Sequence, residues 1–119
     1  MKKLVYFLFS GMFAAILFFG SCEKVVYPPI EIPDSVNYKA DIQPIWDKNC
    51  LDCHSTGLPP TLTADVSHSQ LINGGYVNTD IPMESELMIK LYTSPHDARA
   101  TEAEKQSILV WIEEGALDN

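Results

Sequence analysis

The sequence predicts a small, mostly α-helical domain. Three segments, residues 41–50, 84–92 and 101–113, place apolar side chains at the i, i+3, i+4 spacing of one helix face. No run of residues alternates apolar and polar side chains as a half-buried strand does. The 119 residues have the length of a single domain. We therefore expect helices joined by turn-rich loops rather than a sheet.

The first predicted helix starts at Asp41, whose side chain can act as the N-cap. Its apolar positions are Ile42, Ile45 and Trp46, which lie on one face at helical spacing. Pro44 falls in the first turn, where a missing N–H costs little.

The other two helices have clearer ends. Residues 84–92 form a two-turn segment with acidic residues near its start, where they favour the helix dipole. Thr101 and Glu104 make a T-x-x-E capping box, and Gly115 is placed to end the helix that follows. The inward-facing positions are Leu87, Met88 and Leu91 in the second helix and Ile108, Trp111 and Ile112 in the third.

The N-terminal residues have the plan of a signal peptide. Lys2 and Lys3 precede an apolar run over residues 4–19, and the small residues Gly20 and Ser21 follow it. This run of 16 residues, interrupted only by Ser10 and Gly11, is short for a membrane-spanning helix, which needs about 20 apolar residues. We expect residues 1–21 to be an export signal that is removed.

Cys22 follows the small residues directly. The sequence Phe19-Gly20-Ser21-Cys22 resembles a bacterial lipobox, with Phe19 where a smaller aliphatic residue is usual. The resemblance implies a lipoprotein in which Cys22 is lipidated and anchors the chain to a membrane. The alternatives are an uncleaved anchor or an ordinary signal peptide with an incidental cysteine.

Residues 22–37 carry three prolines and no helical or strand period, which predicts a semi-extended tether. Such a spacer reaches up to roughly 45 Å at about 3.1 Å per residue. The alternative is an irregular arm in which Ile30 and Ile32 pack on the domain. The folded domain is then expected over residues 38–119.

The chain is acidic, with 8 basic and 16 acidic residues and a net charge of −8. Removal of residues 1–21 takes two lysines away and leaves −10. No basic stripe is present to neutralise phosphates, so we expect no nucleic-acid partner. The charge favours partner proteins with a basic docking face.

The chemistry is concentrated at Cys50-Leu51-Asp52-Cys53-His54. This is C-x-x-C-H, the pattern that attaches a c-type haem. The two thiols can each bond one haem vinyl group, and His54 can supply the proximal iron ligand. Three other interpretations of the two cysteines are a thioredoxin-type redox pair, half of a zinc site and a structural disulfide. The haem hypothesis accounts for all three cysteines, because Cys22 is assigned to lipid.

From residue 38 onward the chain resembles a small monohaem cytochrome c domain of the kind found in short bacterial lipoproteins. The resemblance lies in YKADIQPIWDKNC leading into C-x-x-C-H, the loop STGLPP and the closing helix TEAEKQSILVWIEEGA. It implies a cytochrome c-like fold in which the N- and C-terminal helices pack around one covalent haem, with Ile45 or Trp46 against Ile108 and Trp111. It also implies that the carbonyl of Pro59 or Pro60 accepts the His54 ring N–H.

The sequence leaves several candidates for the sixth iron ligand. Many relatives carry a Met shortly before the closing helix, whereas this chain has His96 there, five residues before Thr101. His96 is the first choice and Met83 the second, while Met88 favours core packing and His68 an exposed turn. A vacant site is the remaining possibility. Arg99 and Lys48 are cations that could pair with the haem propionates.

These features predict a membrane-tethered electron carrier in the bacterial envelope, on the periplasmic face or the cell surface. Its partners would be redox proteins and, through lipid, the membrane. No nucleophile–base set or phosphate-binding glycine loop indicates an enzyme. The alternatives are a haem domain that binds ligands at an open axial site, or an electron-delivery subunit of a larger redox enzyme.

Overall fold

The computed structural model describes residues 29–119. The predicted signal peptide, Cys22 and the first part of the tether lie outside the described residues. The described part folds into five α-helices with one π-helical and one 3₁₀ turn, and it contains no strand. The α-helices are α1 (Gln43–Asn49), α2 (Leu51–His54), α3 (Ser67–Asn73), α4 (Glu86–Leu91) and α5 (Glu102–Glu113). The prediction of a mostly α-helical chain is confirmed.

The first helix begins earlier than predicted. A π-helical turn (Tyr38–Ile42) precedes α1, and its N-cap is Asn37, whose side chain accepts from the Ala40 N–H. Asp41 is therefore not the cap; its carboxylate accepts the Asn37 N–H at 2.8 Å. Pro44 explains the π turn, because it has no N–H to continue the α pattern and its ring needs space.

The predicted helix over residues 84–92 is divided in two. A 3₁₀ turn (Pro82–Glu84) is followed by Ser85 in an extended conformation, and α4 starts only after it. Ser85 is buried, and its hydroxyl accepts the Asn78 N–H at 2.9 Å. This contact from a preceding loop fixes the break, so the acidic residue at 84 lies outside α4.

The closing helix α5 agrees with its prediction. Both bonds of the capping box between Thr101 and Glu104 are present. Gly115 follows the helix with φ of 96°, a conformation that other residues rarely adopt. The buried side chains of α5 are Lys105, Ile108, Trp111 and Ile112.

The core lies where α5 packs antiparallel to the π-helical turn. The rings of Tyr38 and Trp111 lie 5.0 Å apart, and both are almost fully buried. Ile45 and Trp46, which the resemblance places near Ile108 and Trp111, belong to the same buried cluster as those two residues. Around the contact between Tyr38 and Trp111 lie Ile42, Leu71, Met88, Ile108 and Ile112, none of which is exposed to solvent.

The N-terminal segment joins the domain beside the last residues of the sequence. The Val36 N–H donates to the Glu114 carboxylate at 3.0 Å, and the Tyr38 N–H donates to the Asn119 side chain at 2.7 Å. Ile30 and Ile32 are about half exposed, at 46% and 54%. Among residues 29–119, no helix is both long and apolar enough to cross a membrane.

The capping box predicts a pH-dependent stability. Burial raises the pKa of Glu104, but hydrogen bonds from Thr101 and Lys48 outweigh it, and the pKa lies below its ordinary value of 4.5. The carboxylate therefore stabilises the fold above pH 4.5, and this contribution is lost as the pH falls through the folded-state pKa.

We expect the free energy of unfolding of the wild type to fall more steeply below pH 4.5 than that of Glu104→Gln. Urea unfolding at a series of pH values measures the difference. If the free energy of unfolding fell equally steeply with pH in both proteins, the ionised Glu104 side chain would not contribute to stability.

Candidate functional site

A cavity of about 340 Å³ opens between the end of α1, α2, the loop at residues 55–62, α4 and the loop at residues 93–99. Its wall includes these residues predicted to contact the haem: Cys50, Cys53, His54, Pro59, Pro60, His96 and Arg99. Met83 and Lys48, which the sequence also offers, are not on it. The apolar part of the wall includes Trp46, Leu62, Tyr76, Leu87 and Leu91.

The local backbone places both thiols at this cavity. The N–H groups of Cys53 and His54 both donate to the Cys50 carbonyl, at 3.2 and 3.0 Å. This single turn brings residues three and four apart to the same side of α2. Both cysteines are free thiols, and Cys53 is exposed while Cys50 is half-buried. Burial raises the pKa of Cys50 to about 11, although Arg99 opposes the shift, so its thiol is protonated at neutral pH.

The His54 ring has a fixed orientation. Its Nδ1 lies 3.0 Å from the Pro60 carbonyl oxygen. A carbonyl can only accept, so Nδ1 carries the proton and Nε2 keeps the free lone pair that a metal needs. Pro60 rather than Pro59 makes this contact. An imidazole held in this way is oriented as a metal ligand before the metal binds.

A buried polar chain supports the loop that carries Pro60. The Tyr38 hydroxyl donates to Ser67 at 2.8 Å, and Ser67 donates to the Gln43 side-chain oxygen at 2.5 Å. The Gln43 amide then donates to the Leu62 carbonyl at 3.0 Å. Sequence reasoning missed Gln43 and Ser67, because a polar residue in a helix carries no signal of burial. The only hint is that Gln43 lies one position from the apolar face of α1.

His96 faces His54 across the cavity. The two ring centres are 6.2 Å apart, with an angle of 42° between the ring planes. A metal held between two imidazole nitrogens at about 2 Å from each separates the ring centres by roughly 6 Å. The Nδ1 atom of His96 is buried and has no hydrogen-bond partner among the described residues. A buried polar atom without a partner is costly, which indicates that a group outside the chain completes it.

The other candidate iron ligands lie away from the cavity. Met83 is in the 3₁₀ turn and is 53% exposed, and Met88 is fully buried in the core. His68 is not in an exposed turn: it lies in α3, where its Nε2 contacts the Ala116 carbonyl at 2.8 Å. Its ring packs edge-on against Tyr38 at 5.0 Å. The short helix α3 carries too little periodicity to be recognised from the sequence.

Two cations lie on the cavity wall. They are Arg99 and Lys90, and neither forms an ion pair within residues 29–119. Lys48, the other cation considered from the sequence, instead pairs with Glu104 at 3.2 Å. The same wall also carries the carboxylates of Asp52 and Glu86, so its cations and anions balance.

The residues present fit a c-type haem. Two thiols, an oriented imidazole and a second imidazole at metal-bridging distance meet at one cavity with a largely apolar wall. The described part of the chain contains no group of three or more His, Cys, Asp or Glu side chains that could bind a metal ion without a cofactor.

No protein-family model, curated protein or solved structure matches the chain.

Proposed function

We propose that this protein is a membrane-tethered c-type cytochrome that carries electrons between redox proteins of the bacterial envelope. The observation that carries the proposal is the pairing of His54 and His96, 6.2 Å apart, beside the two thiols of C-x-x-C-H. When bound, the haem supplies a one-electron iron couple.

Each group of residues has a distinct part in holding the haem. Cys50 and Cys53 would form the thioether bonds, and His54, oriented by Pro60, would be the proximal ligand. His96 would be the sixth ligand. Arg99 and Lys90, both on the cavity wall, would neutralise the propionate groups.

Ligation by two histidines favours electron transfer over ligand sensing. Both axial positions are then filled by the chain, and no open site remains for a diatomic gas. Histidine in place of methionine also lowers the reduction potential. We therefore expect a carrier with a low reduction potential. Electrons would reach the haem through the mouth of the cavity, and no substrate pocket is needed.

The partners follow from charge and from the N-terminal sequence. Residues 22–119 carry a net charge of −10, which attracts partners with a basic docking face. Lipidation at Cys22 would keep the carrier at a membrane, because several acyl chains bind far more firmly than one. The proposed location is therefore the periplasmic face of a membrane or the cell surface.

The test is an absorption spectrum of the full chain produced with export and haem attachment, oxidised and reduced, with and without carbon monoxide. We expect a six-coordinate spectrum that changes only slowly when carbon monoxide is added, and haem that stays with the protein under denaturing conditions. The matched control is Cys50→Ala/Cys53→Ala, which must release its haem. Absence of covalent haem in the wild type would disprove the proposal, and ready carbon monoxide binding would favour a sensor.

A further inference from the structure

Lys105 is a buried lysine at the end of the first turn of α5, on the side of the helix that also carries buried core residues. Only 6% of it is exposed. Its ammonium group donates to the Asp97 carbonyl at 2.9 Å and lies 4.5 Å from the centre of the Tyr92 ring. The Tyr92 hydroxyl in turn donates to Glu102 at 2.7 Å, so a carboxylate lies close to the buried charge.

A lysine at this buried position loses the hydration of its charged group, which destabilises the fold. Removing an ammonium group from water is unfavourable until its new contacts are counted. An apolar side chain would avoid this cost and would suit the neighbouring core residues Ile108 and Trp111. What an apolar side chain cannot do is donate a hydrogen bond to the Asp97 carbonyl.

That bond ends one residue from His96. The other hydrogen bonds of the loop at residues 93–99 are made within it or to the end of α4, such as the His96 N–H to the Thr93 carbonyl at 2.9 Å. Among the hydrogen bonds within residues 29–119, only the Lys105 bond ties this loop to α5. The residue next to His96 is therefore bonded to α5 through the Lys105 side chain.

We propose that Lys105 is a positioning residue that holds the loop of His96 against α5 and so keeps the His96 imidazole opposite His54. The Tyr92 ring stabilises the ammonium group in the orientation that reaches Asp97. The consequence for iron ligation rests on the proposed function, whereas the placement of the His96 ring does not.

The first test measures carbon monoxide binding to the reduced, haem-loaded full chain. Carbon monoxide can bind only after His96 leaves the iron. We expect Lys105→Met to raise the association rate roughly 10-fold to 100-fold, the usual range for loss of a residue that supports a metal ligand. Lys105→Arg, which retains a cationic donor, should restore most of the wild-type rate. Lys39→Met removes a surface lysine paired with Asp118 and should change nothing.

A purely structural role gives a different result. The melting temperature of Lys105→Met would fall while the carbon monoxide rate of the folded protein stayed at the wild-type value, and this would overturn the proposal. Should Lys105→Met not fold, Tyr92→Leu is the second variant, because Tyr92 is 42% exposed and its loss leaves little void. It should raise the rate by a smaller factor, and an unchanged rate would also overturn the proposal.

The second test does not need haem. Diethyl pyrocarbonate modifies accessible imidazoles, and mass spectrometry measures His96 and His68 separately in one sample. We expect Lys105→Met to increase modification of His96 but not of His68, whose ring is held by Ala116. If the wild type lacks haem, the proposed function fails while this measurement still decides the role of Lys105. Equal modification of His96 in the wild type and Lys105→Met would refute it.

Discussion

Replacement of His96 by Ala should convert the haem-loaded protein from a six-coordinate to a five-coordinate state that binds carbon monoxide readily. The expected result follows from the 6.2 Å between the His54 and His96 rings, because no other described side chain on the wall offers a second imidazole. We expect the association rate for carbon monoxide to rise by about 100-fold or more. Stopped-flow mixing of the reduced protein measures it.

Two variants serve as matched controls for His96. His68→Gln removes the other histidine that is not in the C-x-x-C-H segment, and Met83→Leu removes the exposed methionine of the 3₁₀ turn. Neither residue lines the cavity, so both variants should keep the wild-type spectrum. If Met83→Leu opened the site and His96→Ala did not, the sixth ligand would be Met83.

Replacement of Trp111 by Ala should cost about 3–5 kcal/mol in the free energy of unfolding, the range for loss of a large buried aromatic side chain. Trp111 is 1% exposed and packs against Tyr38 at 5.0 Å and His68 at 6.1 Å. Its indole N–H also donates to the Leu117 carbonyl at 2.9 Å. Urea unfolding of the haem-loaded protein measures the loss.

Two further variants separate the packing of Trp111 from its hydrogen bond. Trp111→Phe keeps an aromatic ring in the core but cannot donate to Leu117, so its loss of stability should be clearly smaller than that of Trp111→Ala. Leu58→Ala changes a side chain that is 57% exposed and should stay within about 0.5 kcal/mol of the wild type. Equal losses for the two Trp111 variants would show that the hydrogen bond, not packing, dominates.

Features encoded by neighbouring residues were predictable from the sequence. The capping box at Thr101 and Glu104 is present, because both partners lie within one turn and need no tertiary contact. The turn that brings Cys50 and Cys53 together is local in the same sense, since three residues separate them.

Features that depend on distant contacts were not predictable. The start of the first helix is a local feature that was nevertheless missed: the Asn37 side chain accepts from the Ala40 N–H and caps the helix in place of Asp41. The support of Pro60 by Gln43 and Ser67 joins residues far apart in the chain. The distance between the His54 and His96 rings depends on packing of the intervening helices, which periodicity does not reveal.

The N-terminal segment joins the domain at Val36, beside Glu114 and Asn119, which lie at the C-terminal end of α5. The 12 residues of α5 span about 18 Å, and the His96 loop lies at the opposite end of that helix from Asn119. If the proposed anchor at Cys22 holds the domain at a membrane, the His96 loop lies at the end of α5 farther from the point where residues 36–38 join the domain. A redox partner in solution would then reach that end without contacting the segment that leads to the anchor.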